Sequence, residues 1–70
     1  MDMMYGVSVV FPDGEFWSRR YTYLSPEPVE TGKLVVVPYF AWYKVGKVVE
    51  CIIDPPLDPN VKYKFIKFTE

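Results

Sequence analysis

Apolar and polar positions alternate most clearly between Tyr5 and Phe11, where Tyr5, Val7, Val9 and Phe11 fall on one face and Gly6 and Ser8 on the other. A period of two is that of a half-buried β-strand. Pro12-Asp13-Gly14 follows at once with turn chemistry, so the spacing predicts a hairpin. Its returning strand is expected from Glu15 to Leu24, with Trp17, Arg19, Tyr21 and Tyr23 on one face. Ser25 to Gly32 holds Pro26, Pro28 and Gly32 and reads as an extended loop ending in a tight turn. The run Leu34-Val35-Val36-Val37 predicts a strand covered on both sides, ended by Pro38 because proline brings no N–H to a ladder. Tyr39-Phe40-Ala41-Trp42 then reads as a connecting loop into a long strand from Tyr43 to Ile53, in which Gly46 predicts a bulge or sharp bend. Three prolines make Asp54 to Asn60 a loop, and Val61 to Thr69 reads as the last strand.

No window sustains a 3.6-residue period, so no long helix is expected. Five short strands with no helix to cover a flat sheet predict one all-β domain over residues 1–70, a small antiparallel half-open or closed barrel. A chain of 70 residues buries only about 60% of its unfolded surface, so every strand has to help close the core.

Half of the residues are apolar and 19% are aromatic, which places the chain among folded proteins. Eight basic and nine acidic side chains leave a net charge of −1. No global field therefore draws the protein to nucleic acid or anionic lipid, and any such binding needs a local patch. The chain has no histidine and a single cysteine, Cys51. That removes the usual base of a nucleophilic triad, the commonest zinc ligand and any internal disulfide framework. Cys51 lies among Val48, Val49, Ile52 and Ile53 and is read as a core thiol. The carboxylate pairs Asp13/Glu15, Glu27/Glu30 and Asp54/Asp58 stand in or beside turns, where acids shape backbone or stay solvated. No glycine pattern cradles phosphate. Binding rather than catalysis is therefore expected, with no enzyme activity, cofactor or metal. The start Met1-Asp2-Met3-Met4 has no basic leader, no apolar run is long enough to span a bilayer, and the lone cysteine suits a reducing compartment. The expectation is a cytoplasmic protein with no membrane partner.

What remains is basic and aromatic. Arg19, Arg20, Lys33, Lys44 and Lys47 are interleaved with Trp17, Tyr21, Tyr23, Tyr39, Phe40, Trp42 and Tyr43, and from Phe16 to Val49 the only acids are Glu27 and Glu30 in a loop. Rings of this kind stack on unpaired bases while cations track phosphates. Arg19, Arg20, Tyr39, Phe40, Trp42, Lys44 and Lys47 are thus the candidate ligand-binding residues, with single-stranded or 3′-ended DNA as ligand. The same composition suits a protein partner anchored by Tyr39, Phe40 and Trp42, or an oligomer that buries these rings against itself. The core competes for the rings too: Tyr21, Tyr23 and Tyr43 are expected inside, whereas Trp42, in a loop, is harder to bury. Lys62, Lys64 and Lys67 read as lysines protecting an exposed edge.

Tyr21-Thr22-Tyr23-Leu24-Ser25-Pro26, then Val29 to Gly32, Leu34-Val35-Val36-Val37-Pro38-Tyr39 and Val45-Gly46-Lys47-Val48-Val49, together resemble the N-terminal DNA-binding domain of the primosomal replication-restart helicase. The resemblance covers roughly Tyr5 to Ile53. It implies a small β fold that takes the 3′ end of a DNA strand in a pocket. By that match Tyr21 and Tyr23 take the aromatic positions, Thr22 stands at the acidic position and Phe40 at the glycine. The size of the chain and its lack of catalytic residues also look like the small accessory proteins encoded by bacteriophages.

Overall fold

The computed structural model describes residues 3–70, so Met1 and Asp2, the start of the stretch read as lacking a leader, lie outside the described residues. The described chain is all-β: β1 (Tyr5–Val10), β2 (Pro12–Asp13), β3 (Phe16–Trp17), β4 (Tyr21–Ser25), β5 (Leu34–Tyr39), β6 (Trp42–Ile53) and β7 (Phe68–Thr69). Five strands form one sheet in the order β4-β1-β6-β5-β7, and β2 with β3 makes a separate two-stranded ribbon. No helix of the described residues is long and apolar enough to cross a membrane.

The alternation of β1 is what the sheet uses. Val7, Val9 and Phe11 are almost wholly buried and pack with Tyr23, Val29, Val35, Val37 and Val48 as the core, with Tyr21, Tyr39, Cys51 and Ile66 against its rim. Cys51 is a free, half-buried thiol. Gly14, at φ 63°, provides the left-handed residue that closes the β2–β3 ribbon.

Several elements differ from the expectation, each for a local reason. The returning strand is broken between Trp17 and Tyr21. There the Phe11 N–H donates to Ser18 Oγ (3.0 Å), the Ser18 N–H donates to the Phe11 carbonyl (2.8 Å) and the Ser18 hydroxyl donates to the Arg19 carbonyl (2.7 Å). A serine that bonds backbone on both sides offers the chain an alternative to a ladder. The strand expected to be covered on both sides instead alternates: Val35 and Val37 are buried, Val36 is half-buried and Leu34 is exposed. Pro38 does not end it. β7 pairs only with Val35 and Val36, so Pro38 occupies a stretch of β5 bonded on one side alone, where a missing N–H costs no ladder bond. Tyr39 and Trp42 are paired strand residues of a hairpin whose tip is only Phe40 and Ala41.

The irregularity in β6 lies at Val49 rather than Gly46: Ser8 pairs with Glu50 and Val9 with Val48, leaving one extra residue between. Gly46 serves a close approach instead. A Cβ there would overlap Val9 Cγ1 and stand 2.9 Å from Phe11 Cε1.

The C-terminal segment is a strand only at Phe68–Thr69, yet it bonds both edges of the sheet. The Leu24 N–H donates to the Lys64 carbonyl (2.9 Å) and the Ile66 N–H to the Leu24 carbonyl (3.0 Å), a parallel contact with β4. A few residues on, the Lys67 N–H donates to the Val36 carbonyl (2.8 Å) and the Glu70 N–H to the Leu34 carbonyl (2.9 Å) on β5.

Candidate functional site

Where the C-terminal segment comes away from β4, an open groove of about 460 Å3 remains between three stretches of chain. Arg19 to Tyr23 form one wall, Pro38 to Phe40 at the end of β5 form a second, and Val61 to Lys64 form the third. Four of the lining side chains are cations, Arg19, Arg20, Lys62 and Lys64; five are aromatic and none is acidic. A protein with a net charge of −1 thus collects four positive charges on one concave surface, where the local field rather than the net charge governs an anion.

The rings of the groove are held by one another. Phe11, anchored in the core, lies 5.4 Å from the ring of Tyr21 and 5.3 Å from that of Tyr39, and Tyr21 meets Tyr39 edge-on at 5.8 Å. Tilted and edge-to-face pairs at these separations are favourable beyond the area they bury. Tyr23 is buried, and its hydroxyl donates to the Pro38 carbonyl (2.8 Å), tying β4 to β5 across the floor. Tyr63 is fixed by the Asp58 N–H, which donates to its hydroxyl (3.0 Å).

Cations lie over these rings. The Arg19 guanidinium is 4.7 Å from the centre of Tyr21, and Lys44 Nζ is 4.4 Å from that of Tyr39 and 4.9 Å from that of Phe11. Hydrogen bonding from Arg19, then from Tyr39, holds the Tyr21 phenol below its ordinary range, and Lys44 adds to the effect. Tyr39 moves the other way because its hydrogen bond with Tyr21 favours its neutral form. Burial pushes Tyr23 up, and the bond to Tyr21 raises Arg19 further.

Of the residues singled out in the sequence, Arg19, Arg20, Tyr39 and Phe40 line the groove together. Arg20 also reaches Glu50 at 3.6 Å in an exposed ion pair, which holds it only weakly. Lys44 stands behind Tyr39, and Trp42, 78% exposed, projects from the β5–β6 hairpin beside Phe40, 83% exposed. Lys47 belongs elsewhere: it covers the ring of Trp17 at 5.5 Å, with its side chain on the other face of β6 from Lys44. Tyr43, expected in the core, is exposed and lies under Lys67 at 5.7 Å; being one residue out of phase with Trp42 and Lys44, it points to the outer face of the sheet.

Sequence reasoning missed the third wall. Lys62 and Lys64, read as edge protection, face the groove across from Arg19 and Arg20. The signal available was the Lys62-Tyr63-Lys64 alternation, the same interleaving of cation and ring that marked Arg19 to Tyr23. Among the described residues no cluster of acids or cysteine is arranged to hold a metal ion. Comparison with protein-family models, curated proteins and solved structures finds no match to this chain.

Proposed function

We propose that this protein is a non-enzymatic binding module that takes single-stranded DNA in the groove between β4, the end of β5 and the Val61–Lys64 segment. The observation that carries the reading is the lining itself: four cations and five rings with no acid among them. Cations along the walls follow phosphates, and rings that present a face stack on bases without regard to sequence. Tyr21 and Tyr23, which take the aromatic positions in the resemblance to the 3′-end-binding domain, both line this groove and support a strand end as ligand, while Thr22 and Phe40 line it in place of that domain's acid and glycine. On the same reading the five-stranded sheet is a half-open barrel, supported by the C-terminal hydrogen bonds to both β4 and β5, and the free Cys51 thiol suits work in a reducing cytoplasm.

Fluorescence anisotropy with labelled oligothymidine and with a 3′-tailed duplex, both at low salt, tests this directly. Saturable binding that weakens on Lys62→Ala with Lys64→Ala is expected. A flat titration at low salt, where phosphate contacts are strongest, sinks the reading.

The exposure of Phe40 and Trp42 favours a second reading, a protein partner anchored on the hairpin tip. In that case oligothymidine fails to bind and Trp42→Ala abolishes retention of a partner that the wild-type protein holds.

A further inference from the structure

The groove has a feature that nucleic-acid binding does not use. Leu24 turns its N–H and its carbonyl away from β1 to bond Lys64 and Ile66. In an antiparallel strand such pairs of groups alternate between the two sides, so Thr22, two residues before Leu24, turns its N–H and carbonyl the same way, into the groove. The parallel ladder begun at Leu24 would next have joined Thr22 to the backbone of Lys62 and Lys64, but it stops, and Thr22 makes no hydrogen bond from these groups to any described residue. Thr22 is solvent-exposed. Elsewhere in β4, Tyr21 pairs with Val9 of β1, Tyr23 and Ser25 are buried, and Leu24 is bonded to the C-terminal segment, so one unpaired strand edge lies open at Thr22 on the floor of a cationic, aromatic groove.

We infer that this edge accepts an extended peptide of acidic and apolar alternation, which adds as a strand to β4 at Thr22. Each part of the site corresponds to one part of such a ligand. The Thr22 N–H and carbonyl supply the main-chain bonds of strand addition. The alternation of a strand sends one set of its side chains toward Tyr21, Tyr39 and Phe40. Arg20, Lys62 and Lys64 meet the acids of the other set, Arg19 stays stacked over the Tyr21 ring, and no lining carboxylate opposes them. An unprotected edge is ordinarily a hazard that proteins blunt with charge; here the charges are all of one sign, which repels a second copy of this edge and selects an acidic partner. The inference stands independently of the DNA reading, although both ligands occupy one groove and exclude each other.

The probe is a fluorescein-labelled peptide alternating glutamate with valine and tyrosine, read by anisotropy against the full chain. Saturable binding is expected, competed by oligothymidine if the groove takes both. Two changes isolate the main-chain bonds. Thr22→Pro removes an N–H that faces away from β1, so no sheet bond is lost, and it is expected to weaken the peptide about ten-fold. The same peptide with N-methyl groups on alternate residues, tested on the wild-type protein, is expected to lose affinity similarly, which covers the case in which Thr22→Pro does not fold. Equal affinity for plain and methylated peptide, or no peptide binding at all, overturns the inference. Peptide binding without oligothymidine binding supports it and overturns the DNA reading instead.

Discussion

At Gly46 the backbone of β6 comes so close to Val9 and Phe11 that no side chain fits: an added Cβ would overlap a Val9 methyl and press on the Phe11 ring at 2.9 Å. Both neighbours are almost fully buried and cannot move away without opening the core. Gly46→Ala is therefore expected to destabilise the fold by about 1–3 kcal/mol, seen as a lowered midpoint in urea with an unchanged slope. Because Phe11 carries the rings of Tyr21 and Tyr39, the same substitution disturbs the groove. Tyr21 itself gives a second prediction. The folded protein releases its phenolic proton below the ordinary value of 10.0, so from there up to 10 the folded state binds fewer protons than the unfolded one and stability rises with pH. Above 10 the sign reverses: Tyr23 and Tyr39, both raised, still hold protons that the unfolded chain has lost, and stability falls. Tyrosinate absorbance should show Tyr21 ionising ahead of Tyr23 and Tyr39, and Tyr21→Phe should remove that early step and the rising limb of the melting profile. A first step that survives the substitution belongs to another residue.

The β5–β6 hairpin is an element whose tip works against its own stability. Two-residue hairpins favour glycine, asparagine or aspartate where φ is positive, yet Phe40 holds φ 53° and exposes most of its ring to water. A bulky residue in the left-handed region costs about 1–2 kcal/mol, and strain of this sort concentrates at functional positions. Phe40→Gly is expected to raise the melting temperature by several degrees, at about 4–8 °C for each kcal/mol recovered in a domain of this size. The same substitution should weaken oligothymidine binding by about 1–3 kcal/mol, the usual loss for one stacked base. A variant both more stable and equally tight would remove Phe40 from the site. The hairpin also marks how far the sequence could be read. Val7, Val9 and Phe11 were legible because burial on one face imposes a period of two, and the Gly14 turn because few residues tolerate its φ. The hairpin tip was not, since Phe40 breaks the turn rule that would have announced it. Nor was the break at Ser18, which depends on a hydroxyl finding Phe11 across the chain. The candidate site was half legible: Arg19 to Tyr23 and Tyr39 with Phe40 carry a local pattern, but Lys62 and Lys64 join them only through a contact between distant parts of the chain at Leu24.

For the whole molecule the decisive quantity is where charge sits rather than how much there is. A net charge of −1 predicts slight repulsion of DNA, whereas four lining cations predict attraction within a Debye length, about 10 Å at 0.1 M salt. Salt separates the two. Each phosphate neutralised on a single strand contributes about −0.7 to the slope of log K against log salt. Four contacts would give about −3, and about −2 if Arg20 stays with Glu50. Replacing Lys62 and Lys64 with alanine removes two contacts, so the slope should fall by about 1.4 in magnitude, while Lys47→Ala, on the opposite face over Trp17, should leave it unchanged although it alters the net charge by the same amount as either single groove substitution. Equal effects from Lys47 and Lys62 would mean that the protein acts through its net charge. A slope that responds to the groove lysines alone ties the ligand to the place where the C-terminal segment leaves β4.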